Sequence, residues 1–289
     1  MLARWLKHLP NDLFIIVIIS VFYAKAISKM VEITKKAHSI DGFTHPFPGG
    51  KVVPYLFIEN IDGDDLTLID PSFLPQLPIL EEYIHNLGFK MKDIKRIILT
   101  HLHIDHAQAA NEIRNRTGAK IYSHWIEAGY LAHNPPYPGP PTTKGIQDIL
   151  EKSGLSVEEL TKKFGSMTLE PIIVDNQVLD GDMIGSLKVI HTPGHTPGHI
   201  SLYYGEDRIL FGADSIYKNV FGADHMYIAP AIVSIDPVTA VVSAQRLSKI
   251  KFDKLLMSHQ DSPLVERANE TVEQLVSNTI AQIKTQNNT

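Results

Sequence analysis

The chain has 289 residues, 44% of them hydrophobic and 20% charged, which excludes disorder and fibrous repeats and supplies enough apolar side chain for a sizeable core. Its net charge of -5 argues against nucleic acid as the main partner, because phosphate binding calls for a basic face. There is no Cys, so neither a disulfide framework nor a thiolate nucleophile or ligand is available, and chemistry must be sought among the 14 histidines and the acids.

In chain order, the first feature is the apolar run 13–24, LFIIVIISVFYA, preceded by Arg4 and Lys7 and followed by the small Ala26. At about a dozen residues it is shorter than the ~20 that span a bilayer. Its basic flank and small-residue end resemble an export signal, which favours an exported or membrane-associated protein, with residues 10–27 as the contact. A start at Met30 would instead give a cytoplasmic one. Residues 1–30 are therefore set apart as an N-terminal segment, and 31–289 are read as one domain.

Strands are predicted over 52–59 and 66–70, separated by the turn signal Asp62-Gly63-Asp64. A helix follows over 78–87, stopped by Gly88; then come a buried strand at IKRIILT, a helix over 107–117 and a strand at AKIYSH. NPPYPGPP (134–141) cannot be regular, since its prolines lack the N–H and fix φ. Short helices are expected over 144–152 and 157–164. The second half predicts strands over 187–192, 200–204, 208–212 and 254–258, and helices over 237–250 and 264–285. Strands interleaved with helices and tight turns predict a layered α/β sandwich.

The histidines concentrate at predicted strand ends. THLHIDH places His101, His103, Asp105 and His106 directly after an apolar strand. Without a cation, these four polar groups would each need a separate buried partner. Imidazole and carboxylate suit a zinc-like ion, and a strand-to-helix loop can aim alternate side chains at one point. HTPGHTPGH (191–199) follows a second strand, FGAD brings Asp214 to the end of a third, MSH brings His259 to a fourth, and LTLID ends in Asp70. Polar residues that each close an apolar strand define one rim of a sheet.

These motifs, HxHxDH followed in order by TPGH, FGAD and MSH, resemble the metallo-β-lactamase superfamily over most of the chain after residue 31. The resemblance implies an αββα sandwich with a dinuclear metal site at the sheet edge. His101, His103 and His195 would hold one ion, Asp105, His106 and His259 the other, and Asp214 would bridge them. Asp70 matches the carboxylate expected to orient a ligand histidine through its ring N–H, whereas His191 and His199 fall on no ligand position and are read as structural or supporting residues. Zn²⁺ is the expected ion, with iron, manganese or cobalt also accommodated by such ligands.

Two divalent ions about 3.5–4 Å apart can hold a bridging hydroxide and polarise a substrate oxygen, so metal-assisted hydrolysis is the implied reaction, with Asp105 among the catalytic residues. One β-lactamase group needs a Cys where this chain has Asp214, and another lacks the bridging Asp. The finer likeness is to N-acyl-homoserine lactonases, which carry a Tyr three residues after the bridging Asp, as Tyr217 stands here. In that family the phenol is expected to hydrogen-bond the substrate carbonyl. A quorum-quenching lactonase is thus one expectation; the alternative is a glyoxalase II-like thioesterase or another ester hydrolase, although Leu102 and the run Asp214-Ser-Ile-Tyr depart from the glyoxalase II pattern. Phe47, Tyr137, Phe221 and Met226 are expected to wall an acyl pocket, with the Pro-rich segment as a stiff lid. A small lactone or ester is the expected partner, and a homodimer the default assembly.

Overall fold

The computed structural model describes residues 30–41, 51–61, 63–133, 169–219, 223–231, 233–264 and 266–286. A seven-stranded sheet runs in chain order: β1 (Met30–Glu32), β2 (Ala37–Ile40), β3 (Tyr55–Asn60), β4 (Asp65–Ile69), β5 (Ile94–Leu99), β6 (Lys120–His124) and β7 (Asn176–Val178). The first three junctions are antiparallel and the last three parallel. Parallel neighbours need long crossovers. Here those following β4, β5 and β6 carry the helices α1 (Leu77–Asn86), α2 (Ile104–Ala107) with α3 (Ala110–Thr117), and α4 (Trp125–His133).

The second sheet has five strands in the order β14 (Lys254–Met257), β11 (Ile209–Ala213), β10 (Ile200–Tyr204), β9 (Leu187–His191) and β8 (Met183–Ile184), antiparallel except for β14 against β11. A small ribbon pairs β12 (Ile216–Lys218) with β13 (Met226–Ile228). Two helices complete the molecule, α5 (Pro237–Leu247) and α6 (Ala268–Gln286).

Alternation along the strands sorts the side chains into layers. On β3, Tyr55 and Phe57 enter the cluster between the sheets, where Leu202 and Phe211 also lie; Leu56 and Ile58 face the other way, onto Leu80, Tyr83 and Ile84 of α1. On β11, Ile209 and Phe211 point inward, while Leu210 joins Ala240, Ala244 and Leu247 of α5 and Val272 and Val276 of α6. Both sheets are thus covered on both faces, which is why their strands read as near-continuous apolar runs. The predicted αββα sandwich is the observed architecture.

The boundaries needed correction. The helix expected over 107–117 is two pieces: the amide of Ala109 donates to Ser72 O at 3.0 Å and that of Ser72 to His106 O at 3.1 Å, so a tertiary pairing interrupts it. The helix expected from 264 starts at Ala268, because Leu264 exchanges backbone hydrogen bonds with Leu255 (2.8 and 3.1 Å). The strand expected from 52 begins at Tyr55, while Val53 donates instead to Ser258 O at 2.8 Å. The ribbon β12–β13 lies in a stretch for which no strand was predicted. The Pro-rich segment, the helices expected over 144–152 and 157–164, and the whole of 1–29 lie outside the described residues. Among the described residues no helix is long and apolar enough to cross a membrane.

Candidate metal centre

Five strand ends meet at one edge of the sandwich. Asp70 follows β4, His101 and His103 follow β5, Asp105 and His106 lie in α2, His195 follows β9, Asp214 follows β11 and His259 follows β14. Asp70 itself and Ala213, which precedes Asp214, adopt left-handed backbone at φ 52° and 46°, a conformation that costs energy for a side-chain-bearing residue. Between Phe211 and Ala213 the pairing of β11 with β14 also slips register. Both features turn the chain sharply out of the sheet at the carboxylates.

One cluster is formed by three imidazoles. His101 Nε2 lies 3.0 Å from His103 Nδ1 and 3.2 Å from His195 Nε2, and the latter two atoms are 3.0 Å apart. Ligands ~2.0–2.1 Å from a tetrahedral zinc stand about 3.3 Å from one another, so this triangle is close to the size such an ion takes. Burial drives all three histidines toward the neutral form, His101 and His195 well below the ordinary imidazole range and His103 less so. Neutral rings are the ones that present lone pairs to a cation.

A second cluster joins Asp105 Oδ2 to His106 Nε2 at 3.5 Å and to His259 Nε2 at 3.4 Å. Asp214 faces both: its Oδ2 is 3.4 Å from His195 Nε2 and 3.3 Å from His259 Nε2, and its Oδ1 is 3.5 Å from His106 Nε2. Burial would lower the pKa of His106, but Asp105, Asp214 and Asp70 outweigh it and lift the ring to about 9. At His259 burial is likewise outweighed, chiefly by Asp214, and the value rises well above the usual one. Asp214 is held well below the carboxylate range, the neighbouring His259 and His106 overcoming its burial.

Whether these residues fit a metal can be read from the atoms left over. His106 Nε2 and Asp214 Oδ1 are buried with no hydrogen-bond partner, a costly arrangement for an empty core, and both point into the cluster. Three of the clustered histidines are held from the far side. His106 Nδ1 donates to Asp70 Oδ2 at 3.0 Å, His259 Nδ1 to Lys51 O at 2.7 Å, and His101 Nδ1 to Thr100 Oγ1 at 3.0 Å. Each bond directs the other ring nitrogen inward, the usual support for a metal-ligating histidine. Asp70 also accepts from the Thr100 amide (2.8 Å) and hydroxyl (2.7 Å). It lies close enough to His101 and His106 to form a third potential ligand group, but its oxygens are spent on these bonds.

His199 accepts the Asp214 amide at Nε2 (3.1 Å) and donates from Nδ1 to Thr192 Oγ1 (2.8 Å), so it holds the backbone at Asp214 without entering either cluster. His191 donates to Pro197 O at 2.9 Å and stacks on His124 at 4.2 Å. Tyr217 is buried; its hydroxyl donates to Asp214 Oδ2 at 2.5 Å, and its ring stacks against His259 (5.3 Å) and Tyr227 (5.7 Å). Of the four residues expected to wall an acyl pocket, Phe47, Tyr137 and Phe221 lie outside the described residues. Met226 is half-buried on β13, where it packs against the apolar cluster beneath α5 and α6, and that packing accounts for its burial.

Two supports were not foreseen. α5 opens with Asp236, whose side chain accepts from the Thr239 amide at 3.0 Å, followed by Pro237. The helix start abuts the loop 192–199, where a Cβ on Gly194 (φ 133°) would sit 2.2 Å from Ala240 N. The other is Glu127 of α4, a fully buried acid that accepts from both histidine-bearing loops and that burial raises to about 7. One acid in the apolar run WIEAGYL carries no signal separating it from a solvent-facing position.

Comparison with known proteins agrees with the geometry. The chain is 31% identical over 184 residues to "Probable metallo-hydrolase YflN" of Bacillus subtilis, covering 60% of this chain and 65% of that protein. It is 24% identical over 168 residues to "Hydroxyacylglutathione hydrolase GloC" of Haemophilus influenzae, covering 56% and 66%. The chain therefore spans just under two thirds of the length of these relatives. Among solved structures, the metallo-beta-lactamase family protein TTHA1429 of Thermus thermophilus shares the fold with a TM-score of 0.62 at 22% identity, over 84% of this chain and 79% of that one. This fold family implies divalent metal ions, which the two clusters fit. Residues 48–259 match the profile of the Metallo-beta-lactamase superfamily, and the chain belongs to that superfamily.

Proposed function

We propose that this chain is a metal-dependent hydrolase of carboxylic esters or thioesters, and that His101, His103 and His195 hold one divalent ion, Asp105, His106 and His259 a second, with Asp214 between them. The observation that carries this reading is the single carboxylate of Asp214 facing histidines of both clusters within 3.5 Å. The ions would supply Lewis acidity, making a water nucleophilic near neutral pH and drawing charge from a carbonyl oxygen.

The protein's own part is positional and acid–base. Its carboxylates differ in access: the Asp105 side chain is 12% exposed, against 2% for Asp214 and 1% for Asp70. Asp105 is thus the carboxylate placed to take up the proton of an attacking water. In the balanced reaction, water oxygen bonds to the acyl carbon, the C–O or C–S bond breaks, and the leaving oxygen or sulfur takes the proton. Tyr217 fixes Asp214 through its only proton; in the lactone reading the phenol turns to the substrate carbonyl as its oxyanion develops.

Two substrate classes remain, each with its own support. The Tyr217 hydroxyl at the metal edge favours a lactone, of which an N-acyl-homoserine lactone is the specific proposal, with zinc as the proposed ion. The likeness to a hydroxyacylglutathione hydrolase favours a thioester. Purified protein, its metal content measured, should be assayed with a long-chain acyl-homoserine lactone and with a hydroxyacyl-glutathione thioester, each with a chelator control. Chelator-sensitive opening of the lactone supports the first reading and turnover of the thioester alone the second. Two bound ions with neither activity would refute both substrate classes. Export or membrane association of the 1–30 segment is proposed separately, and mass spectrometry of the mature N-terminus tests it: a chain beginning at Met30 would overturn it.

A further inference from the structure

We propose that Glu127 is the positioning residue of the three-histidine cluster, clamping the two loops that carry His101, His103 and His195 into one ion-sized triangle. The inference rests on the reading of that cluster as a cation site.

The geometry is specific. Glu127 lies in the first turn of α4, a helix that contributes no ligand, and its side chain is fully buried. Oε2 accepts the amide of Leu102, the residue between His101 and His103, at 2.9 Å. Oε1 accepts the Thr196 hydroxyl at 2.8 Å and the Gly198 amide at 2.7 Å, both on the loop that carries His195. One rigid carboxylate therefore ties together loops that stand 94 residues apart in sequence at their histidines, as His101 and His195 do. All three partners donate, and the two carboxyl oxygens supply an acceptor lone pair to each of them. The loop is pressed against this side chain: a Cβ on Gly198 would stand 2.8 Å from Glu127 Cγ and 2.9 Å from Oε1, so any residue but glycine would push the loop off the clamp.

The clamp is also one-sided. None of its three bonds reaches Asp105, His106, Asp214 or His259. Burying a carboxylate is expensive, and donors from a single loop would suffice to satisfy it; these donors come from both loops of one cluster. A purely stabilising acid would act on the whole fold, whereas a clamp of this shape acts on one of two cation sites.

Titration of metal-free full-length protein with Zn²⁺ against a chromophoric chelator separates the two. H103A identifies the binding step that belongs to the three-histidine cluster, and H259A the other. In E127Q the amide nitrogen must face one of the three donors, so the first step is expected to weaken by about 10–100-fold, as for other residues that orient metal ligands, while the second stays within about twofold. T196V, which removes one donor of three and conserves volume, should shift the same step less, and G198A should shift it while leaving every partner chemically intact. Both steps unchanged, or both weakened equally, would overturn the clamp; if E127Q does not fold by circular dichroism, T196V and G198A decide by the same criterion. Failure of the wild-type protein to bind any cation would instead overturn the metal-centre reading itself, a distinguishable result.

Discussion

The two halves of the site are built from similar residues and held in opposite ways. In the His101–His103–His195 half, burial dominates and the rings are kept neutral. In the Asp105–His106–His259 half, carboxylates outweigh burial and the two rings retain protons in the absence of a cation. The supports differ as well: Glu127 ties the first half through loop backbone and a hydroxyl, whereas Asp70 and the Lys51 carbonyl hold the rings of the second directly. Similar residues thus present two different affinities for protons, because burial prevails over Asp214 in the first half, whereas carboxylates prevail over burial in the second. A cation entering the first half displaces few protons, and one entering the second must expel them.

The strongest way to break this contrast is to remove the residue shared by both halves. D214N takes away the charge that faces His195 and His259, and hydrolysis should fall below detection, with fewer than two ions bound per chain by elemental analysis. D105N comes next. It should lower kcat by about 10²–10⁴-fold, the usual contribution of a positioned acid–base group, with the protein still folded. Retained turnover would refute the assignment of Asp105.

D70N sharpens the contrast from the other side. His106 would lose the acceptor that orients its ring, and the second half should bind its ion about 10–100-fold more weakly in a chelator competition, with a smaller loss at the first half, whose His101 Asp70 reaches only through Thr100. A subtler effect concerns pH. With His106 lifted to about 9, its proton is bound in the metal-free protein at neutral pH, so affinity at the second half should rise as pH increases toward 9 and affinity at the first should change much less. Calorimetry in buffers of different ionisation enthalpy reads the protons released at each step; equal release at both would remove the distinction.

The smallest effect lies outside the site. Burial, with His191 stacked beside it, holds His124 down to about 4, below its unfolded value of 6.5. A histidine kept neutral in the fold contributes stability that is present above pH 6.5 and is lost as pH falls toward 4. In chelator-treated protein, H124Q should therefore flatten the decline of Tm between pH 7 and 4; an unchanged slope would assign the acid sensitivity elsewhere.

Much of this was legible before any coordinates. A chain that ends apolar strands with Asp70, His101, His195, Asp214 and His259 declares where its chemistry lies, because a polar group at the end of a buried strand needs a reason to be there. Strands interleaved with helices likewise foretold a layered α/β sandwich. Elements set by non-local hydrogen bonds were not legible: the break between α2 and α3 exists because Ala109 and Ser72 pair across the fold, and the start of α6 waits on Leu264 leaving β14. Glu127 was hidden for the same reason, since its three donors lie on segments that only folding brings to it.

The amino-acid sequence by itself determined which histidines and acids follow the apolar strands and which layers form the core, because side-chain type and apolar period are local properties of the chain. The tertiary structure alone decided how those residues divide into a neutral half and a proton-retaining half, and where the buried acids Glu127 and Asp70 take hold. Burial, counter-charge and hydrogen-bond reach depend on distances across the fold, and spacing along the chain does not contain them.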